Sequence, residues 1–148
     1  MLRVVVDANV LVSAIFNPEG PVSDVFFEAF GRVELLTPEF IGEEMKAHTG
    51  RIAHELGAPV DRIEAAVDKL IGRTRTVPLD MITKAARKQA DTLALDIDPK
   101  DVAYVALALS QEAVLWTLDR KLANGLARKD VRICINTATM RNIIEHLR

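Results

Sequence analysis

Acidic side chains are the residues of this chain whose types and spacing could do chemistry. Asp7 follows directly on the β-branched run Val4, Val5 and Val6, and Asn9 stands two residues further on. Asp119 follows a second apolar run, and Asp101 opens the long apolar stretch that leads into that run. Glu44 sits between apolar neighbours at helical spacing. Four carboxylates brought together without a cation would repel and raise one another's pKa. A hard divalent cation removes that cost, and an all-oxygen donor set selects Mg²⁺ or Mn²⁺ over zinc. The chemistry such a site performs best is phosphodiester hydrolysis, by acidifying a bound water and stabilising charge on the leaving oxygen.

Each acid also has an ordinary structural explanation. At 100° per residue, Phe40, Ile41, Met45 and Ile52 share one arc of a helix, and Glu44 lies inside it while Glu43 points away. An inward carboxylate needs a partner, so Glu44 is the candidate ligand and Glu43 is read as solvated. Asp98 reads as an N-cap with Pro99 as first helical residue, which puts Asp101 in the first turn. Capping is the favoured role for Asp98 and the site for Asp101, because buried Val105 lies one turn on. Taken alone, Asp119 would merely cap the helix that follows it. His48, His54 and His146 have no spacing that pairs them with another ligand. No Ser-His-Asp arrangement, glycine-rich phosphate loop or dinucleotide fingerprint competes for the reaction.

The elements that must position these acids read as alternating strands and helices. Strands are expected around residues 4–6, 33–36, 74–77, 113–117 and 131–135. Helices are expected over 10–16, 21–30, 60–72, 79–95, 99–109, 120–126 and 138–147, with one more opened by Thr37 as N-cap and Pro38 at its first position. The strand at 74–77 is expected at an edge. Short unalternating strands followed by helices indicate a parallel sheet covered on both faces. In such a sheet ligands gather beyond the carboxyl ends of the strands, where Asp7 and Asp119 would lie.

With 148 residues, 49% of them apolar and 27% charged, the chain is expected to be one globular domain over residues 1–148. The single Cys134 excludes an internal disulfide framework and fits a reducing compartment. The N-terminal apolar run is cut by Asp7, and no run approaches a membrane span, so a cytoplasmic location without membrane contact is expected. Net charge is −2, yet committing four of the 21 acids to metal leaves 17 against 19 Lys and Arg. Charge therefore does not decide for or against a polyanionic partner. Lys84, Arg87 and Lys88 are read as a solvated face.

Taken together, these residues resemble the PIN domains, small metal-dependent ribonucleases that include the toxins of many prokaryotic toxin–antitoxin pairs. The resemblance rests on four pieces in order: residues 5–11 (VVDANVL), Glu44 on its helix, residues 98–109 (DPKDVAYVALAL) and residues 116–119 (WTLD). It implies a three-layer α/β/α sandwich around a mostly parallel five-stranded sheet. Asp7, Glu44, Asp101 and Asp119 are then the catalytic, metal-binding acids, supported by Asn9, Thr117 and Asp98, with Mg²⁺ or Mn²⁺ as cofactor. Single-stranded RNA is the implied substrate, an antitoxin protein the implied partner, and a homodimer the implied assembly. Lys46, Arg51, Arg120 and Lys121 are the basic candidates for the RNA backbone, where such contacts position without reading sequence. A catalytically silent RNA-binding or protein-interaction module is the alternative. A phosphatase using Asp7 as nucleophile would want an acid where Asn9 stands. A phosphoacceptor domain would want a second acid after strand one and a lysine near the last strand.

Overall fold

The structure is a computed structural model and describes residues 1–147. In chain order the elements are β1 (Arg3–Val6), α1 (Ala8–Phe16), α2 (Pro21–Ala29), β2 (Glu34–Pro38), α3 (Ile41–Leu56), α4 (Val60–Ile71), β3 (Arg75–Val77), α5 (Lys84–Ala94), α6 (Val102–Ser110), β4 (Val114–Trp116), α7 (Arg120–Ala127), β5 (Cys134–Ile135) and α8 (Thr137–His146). Single 3₁₀ turns at Leu79–Met81 and Pro99–Asp101 precede α5 and α6. All strand pairs are parallel, in the order β3-β2-β1-β4-β5. On one face α1 to α4 pack together and α8 joins them through α2; α5, α6 and α7 form the other layer.

The sequence explains this layering. Val4, Val5 and Val6 are fully buried, as a central strand covered on both faces requires. Helix α6 is apolar nearly all round, and Tyr104 through Ala108 are buried where it lies against β1, β2 and β4. Helix α4 shows the one-sided pattern instead, burying Ile63, Val67 and Leu70 and exposing its charges. Among the described residues no helix is long and apolar enough to cross a membrane.

Strand order decides where the site falls. The chain leaves β1 toward β2 on one side and leaves β4 toward β5 on the other, so a crevice opens between the carboxyl ends of β1 and β4. The Asp7 N–H donates to the Trp116 carbonyl at 3.0 Å and ties the two strand ends together.

Three local expectations are corrected. Thr37 and Pro38 do not open a helix; they extend β2, and α3 begins at Ile41. Pairing with Thr76 and Val77 of β3, and a 2.9 Å bond between the buried Thr37 hydroxyl and that of Thr74, outweigh the local cap signal. Pairing to β1 ends at Leu36, so the N–H that Pro38 lacks falls beyond that ladder. The helix expected over 79–95 is interrupted, because the Thr83 hydroxyl caps α5 by accepting from the Ala86 N–H at 3.1 Å. The last strand is only Cys134–Ile135. Asp130 takes φ +61° and the Val131 N–H bonds back to the Leu126 carbonyl, so those residues terminate α7 instead.

Candidate functional site

The crevice is built in layers from the β1 and β4 ends outward. Thr117, buried at the end of β4, donates its hydroxyl to Asp7 Oδ2 at 2.8 Å. Its oxygen accepts from the Asp119 N–H at 3.1 Å and from Asn9 Nδ2 at 3.3 Å. The Asn9 amide also reaches Asp7 Oδ2 at 3.4 Å, and its Oδ1 accepts from the Leu118 N–H at 3.1 Å. One hydroxyl and one amide thereby lock both strand ends and the Asp7 carboxylate in place.

Asp119 works in two directions. Its Oδ1 caps α7 by accepting from the Leu122 N–H at 3.2 Å, and a carboxylate oxygen also joins those of Asp98 and Asp101 within 4.8 Å of one another. Capping and facing the site are therefore compatible. Asp98 does the same on the other wall, since its Oδ1 accepts from the Lys100 N–H at 3.0 Å. Pro99 and the 3₁₀ turn then bring Asp101 inward. The segment carrying Asp98 is pinned by Lys129, whose ammonium reaches Asp96 at 2.6 Å and the Leu93 carbonyl at 2.8 Å. Glycine at 125 lets α7 approach closely, because a Cβ there would meet Ile97 Cδ1 at 2.6 Å.

Glu44 comes from α3. It is half-buried where Glu43 is exposed, and its Oε2 accepts a hydrogen bond from the Tyr104 hydroxyl. Tyr104 lies one turn after Asp101 on buried α6, its ring edge-on to Phe40 at 6.0 Å. The spacing from Asp101 was the available signal for Tyr104, but as an aromatic in an apolar helix it reads as core.

Together these walls enclose an open cleft of about 390 Å³ that takes in Asp7, Glu44, Asp98, Asp101 and Asp119. Its electrostatics are unfavourable as they stand. Burial pushes the Asp101 carboxyl up to about 7, and Asp7, Asp98, Asp119 and Glu44 add to it by repulsion. Burial also pushes Asp7 up to about 6, against the Thr117 bond that stabilises its charge. Asp101 Oδ2 is buried without a hydrogen-bond partner. An orphaned acceptor beside two more carboxylate oxygens fits a hard divalent cation, the donor chemistry being all oxygen. The tightest trio is Asp98, Asp101 and Asp119, so Asp98 stands closer to the centre of the cluster than its capping role suggested.

The basic residues divide. Arg51 lines the cleft, about two turns beyond Glu44 on the same face of α3, its guanidinium over the Phe16 ring and 3.7 Å from Glu55. His48 and Lys100 line it too, and sequence reasoning did not single them out. For His48 the sequence holds no spacing that pairs it with another ligand, and only the fold brings it to the cleft. Arg120 borders a neighbouring groove. Lys46 faces a separate hollow between α3 and α4, and Lys121 is exposed away from both cavities.

Residues 5–147 match the PIN domain family, and the chain belongs to it. Among solved structures it is similar to VapBC2 from Rickettsia felis bound to a DNA fragment from their promoter, at 13% identity and a TM-score of 0.66, over 91% of this chain and 98% of that one. It is likewise similar to PAE2754 from Pyrobaculum aerophilum, at 16% identity and a TM-score of 0.66, over 99% of this chain and 89% of that one. At such identities the likeness shows the fold. No curated protein matches the sequence.

Proposed function

We propose that the chain is a metal-dependent endoribonuclease that hydrolyses phosphodiester bonds of single-stranded RNA. The observation that carries this reading is the buried, unpartnered Asp101 Oδ2 inside the trio with Asp98 and Asp119. Asp98, Asp101 and Asp119 would hold Mg²⁺ or Mn²⁺, with Asp7 beside them as a further ligand. When bound, such an ion neutralises the scissile phosphate and acidifies a water for in-line attack. The Thr117 and Asn9 bonds keep the Asp7 carboxylate aimed into the cleft. The Tyr104 hydroxyl fixes Glu44 on the facing wall, where its carboxylate can orient water by accepting a hydrogen bond. Arg51 and Lys100 offer the backbone cationic contacts at the cleft rim. Membership of the PIN family and the likeness to a VapBC complex support a place as the toxin of a toxin–antitoxin pair, with an antitoxin protein as partner; assembly as a homodimer is part of the same proposal.

The test is cleavage of a labelled single-stranded RNA with Mg²⁺ or Mn²⁺ against EDTA, using the wild-type chain and Asp101→Asn in parallel. Metal-dependent cutting that the substitution removes is the expected result. Cutting that survives in EDTA or in the variant would overturn the reading, and no cutting at all would favour a silent module.

A further inference from the structure

The acidic cleft can hold a phosphate only where a cation sits, so the rest of a bound strand must leave by a path poor in carboxylates. A groove of that kind borders the cleft at Asp119. A groove of about 660 Å³ runs between the starts of α7 and α8, past the end of β5, and Asp119 lines both cavities. Its volume is in the range of sites that enclose small organic ligands.

The lining of this groove differs in kind from that of the cleft. Among the described residues, Asp119 is its one acid and Arg120 its one cation, and its other polar side chains are hydroxyls, amides and a thiol. Arg120, exposed beside Asp119, makes no ion pair or side-chain hydrogen bond among the described residues. Asn136 uses its Oδ1 to accept from the Thr139 N–H at 2.8 Å, which leaves its amide N–H groups as donors. The Thr137 oxygen accepts from Trp116 Nε1 at 3.2 Å, which leaves its hydroxyl proton to donate. The Cys134 thiol, pushed up to about 12 by burial and the nearby acids, stays protonated and uncharged. Hydroxyls and amides that both donate and accept suit a base edge and a ribose 2′-OH. Among the described residues no aromatic ring lines the groove, so recognition there would run through hydrogen bonds and not through stacking.

We propose that this groove is a nucleotide subsite, taking the ribose and base that flank the scissile phosphate of a single-stranded RNA, with Arg120 at the crossing from cleft to groove. The inference rests on the ribonuclease reading for the identity of the strand.

Ala138, exposed in the first turn of α8 and lining the groove, allows a clean test. Ala138→Glu adds a negative charge that a helix N-terminus tolerates well. Ala138→Trp blocks the groove by bulk alone. Binding of a labelled single-stranded oligoribonucleotide with phosphorothioate linkages, which resist cutting, is followed by fluorescence anisotropy with Mn²⁺ present, with thermal melts to confirm that both variants are folded. Arg120→Ala is included as a third variant. The expected result is a Kd raised roughly tenfold or more in both Ala138 variants and severalfold in Arg120→Ala. Wild-type affinity in folded Ala138→Glu and Ala138→Trp would overturn the subsite, and so would a wild-type chain that binds no RNA. Hydrolysis of bis(p-nitrophenyl) phosphate by the wild-type chain with Mn²⁺ is measured separately. Its absence would count against the nuclease while the anisotropy comparison still decides the groove.

Discussion

The two ends of the sheet treat charge in opposite ways. At the amino-terminal end Glu34 lies between two arginines, 3.5 Å from Arg3 and 2.7 Å from Arg75, and every partner keeps contact with solvent. At the carboxyl end five carboxylates share one cleft, those of Asp7 and Asp101 are buried, and one Asp101 oxygen has no hydrogen-bond partner among the described residues. Both ends are built from the same strands. The first arrangement is what a chain does when charge has only to be accommodated at a surface. The second costs folding stability, because burial and repulsion both oppose the ionised form. The difference is that the carboxyl end gathers an acidic group able to hold a metal ion, where the amino-terminal end pairs its charges with its own arginines.

The sharpest way to break this contrast is to remove one charge from the crowded end. Asp101→Asn is expected to lower RNA cutting on the order of a thousandfold, equivalent to about 4 kcal/mol of transition-state stabilisation. Single-turnover cleavage with Mn²⁺ measures it.

Stability should respond to pH in the same direction. Asp7 and Asp101 have folded-state pKa values near 6 and 7, above the ordinary 3.8, so the folded chain binds protons that the unfolded chain releases. Their contribution is fully present below about pH 4 and is lost as pH rises through about 6 to 7. In EDTA, the wild-type chain should therefore lose stability relative to Asp101→Asn as pH climbs through that window. Adding Mg²⁺ or Mn²⁺ at pH 8 should stabilise the wild type and leave the variant nearly unmoved. Urea titrations at several pH values read both effects, and a wild-type advantage that grows with pH in EDTA would be the wrong sign.

A smaller effect is expected from Tyr104→Phe, which deletes the hydroxyl that donates to Glu44. Losing a hydrogen bond to a charged group costs about 1.5 kcal/mol. Cleavage should fall by up to roughly tenfold, while the melting curve shows a core that still packs against Phe40. At the other end of the sheet, Glu34→Gln should cost under about 1 kcal/mol, as exposed ion pairs do, with RNA cutting unchanged. A large loss of activity there would blur the distinction between the two ends.

Much of this was legible in the sequence, for physical reasons that differ by residue. Asp7 and Asp119 could be found because unalternating strands announce burial, and their carboxyl ends are where a parallel sheet places ligands. Glu44 could be separated from Glu43 because helical angles put one inward and the other out. Thr37 and Pro38 were misread because cap and turn signals are local, whereas the pairing with Thr76 and Val77 that holds them in β2 spans nearly forty residues. Asp98 reads as a cap, and it is one; that its carboxylate also stands with Asp101 and Asp119 is set by how α7 packs against the segment before α6, which no local pattern encodes. Tyr104 stands one turn from Asp101 but reads as core in an apolar helix, and a lone His48 carries no signal, until tertiary structure places both at the cleft. Lys46 and Arg51 looked equivalent in the sequence, yet the turn of α3 sends one to a separate hollow and the other to the cleft.

The central claim is that the crowded end holds a divalent cation through Asp98, Asp101 and Asp119. Calorimetric titration of Mn²⁺ into the wild-type chain and into Asp101→Asn, both first cleared of metal, tests it most directly. Saturable binding to the wild type that is lost or weakened at least tenfold in the variant is the predicted result. Equal binding by both chains, or none by the folded wild type, would contradict it.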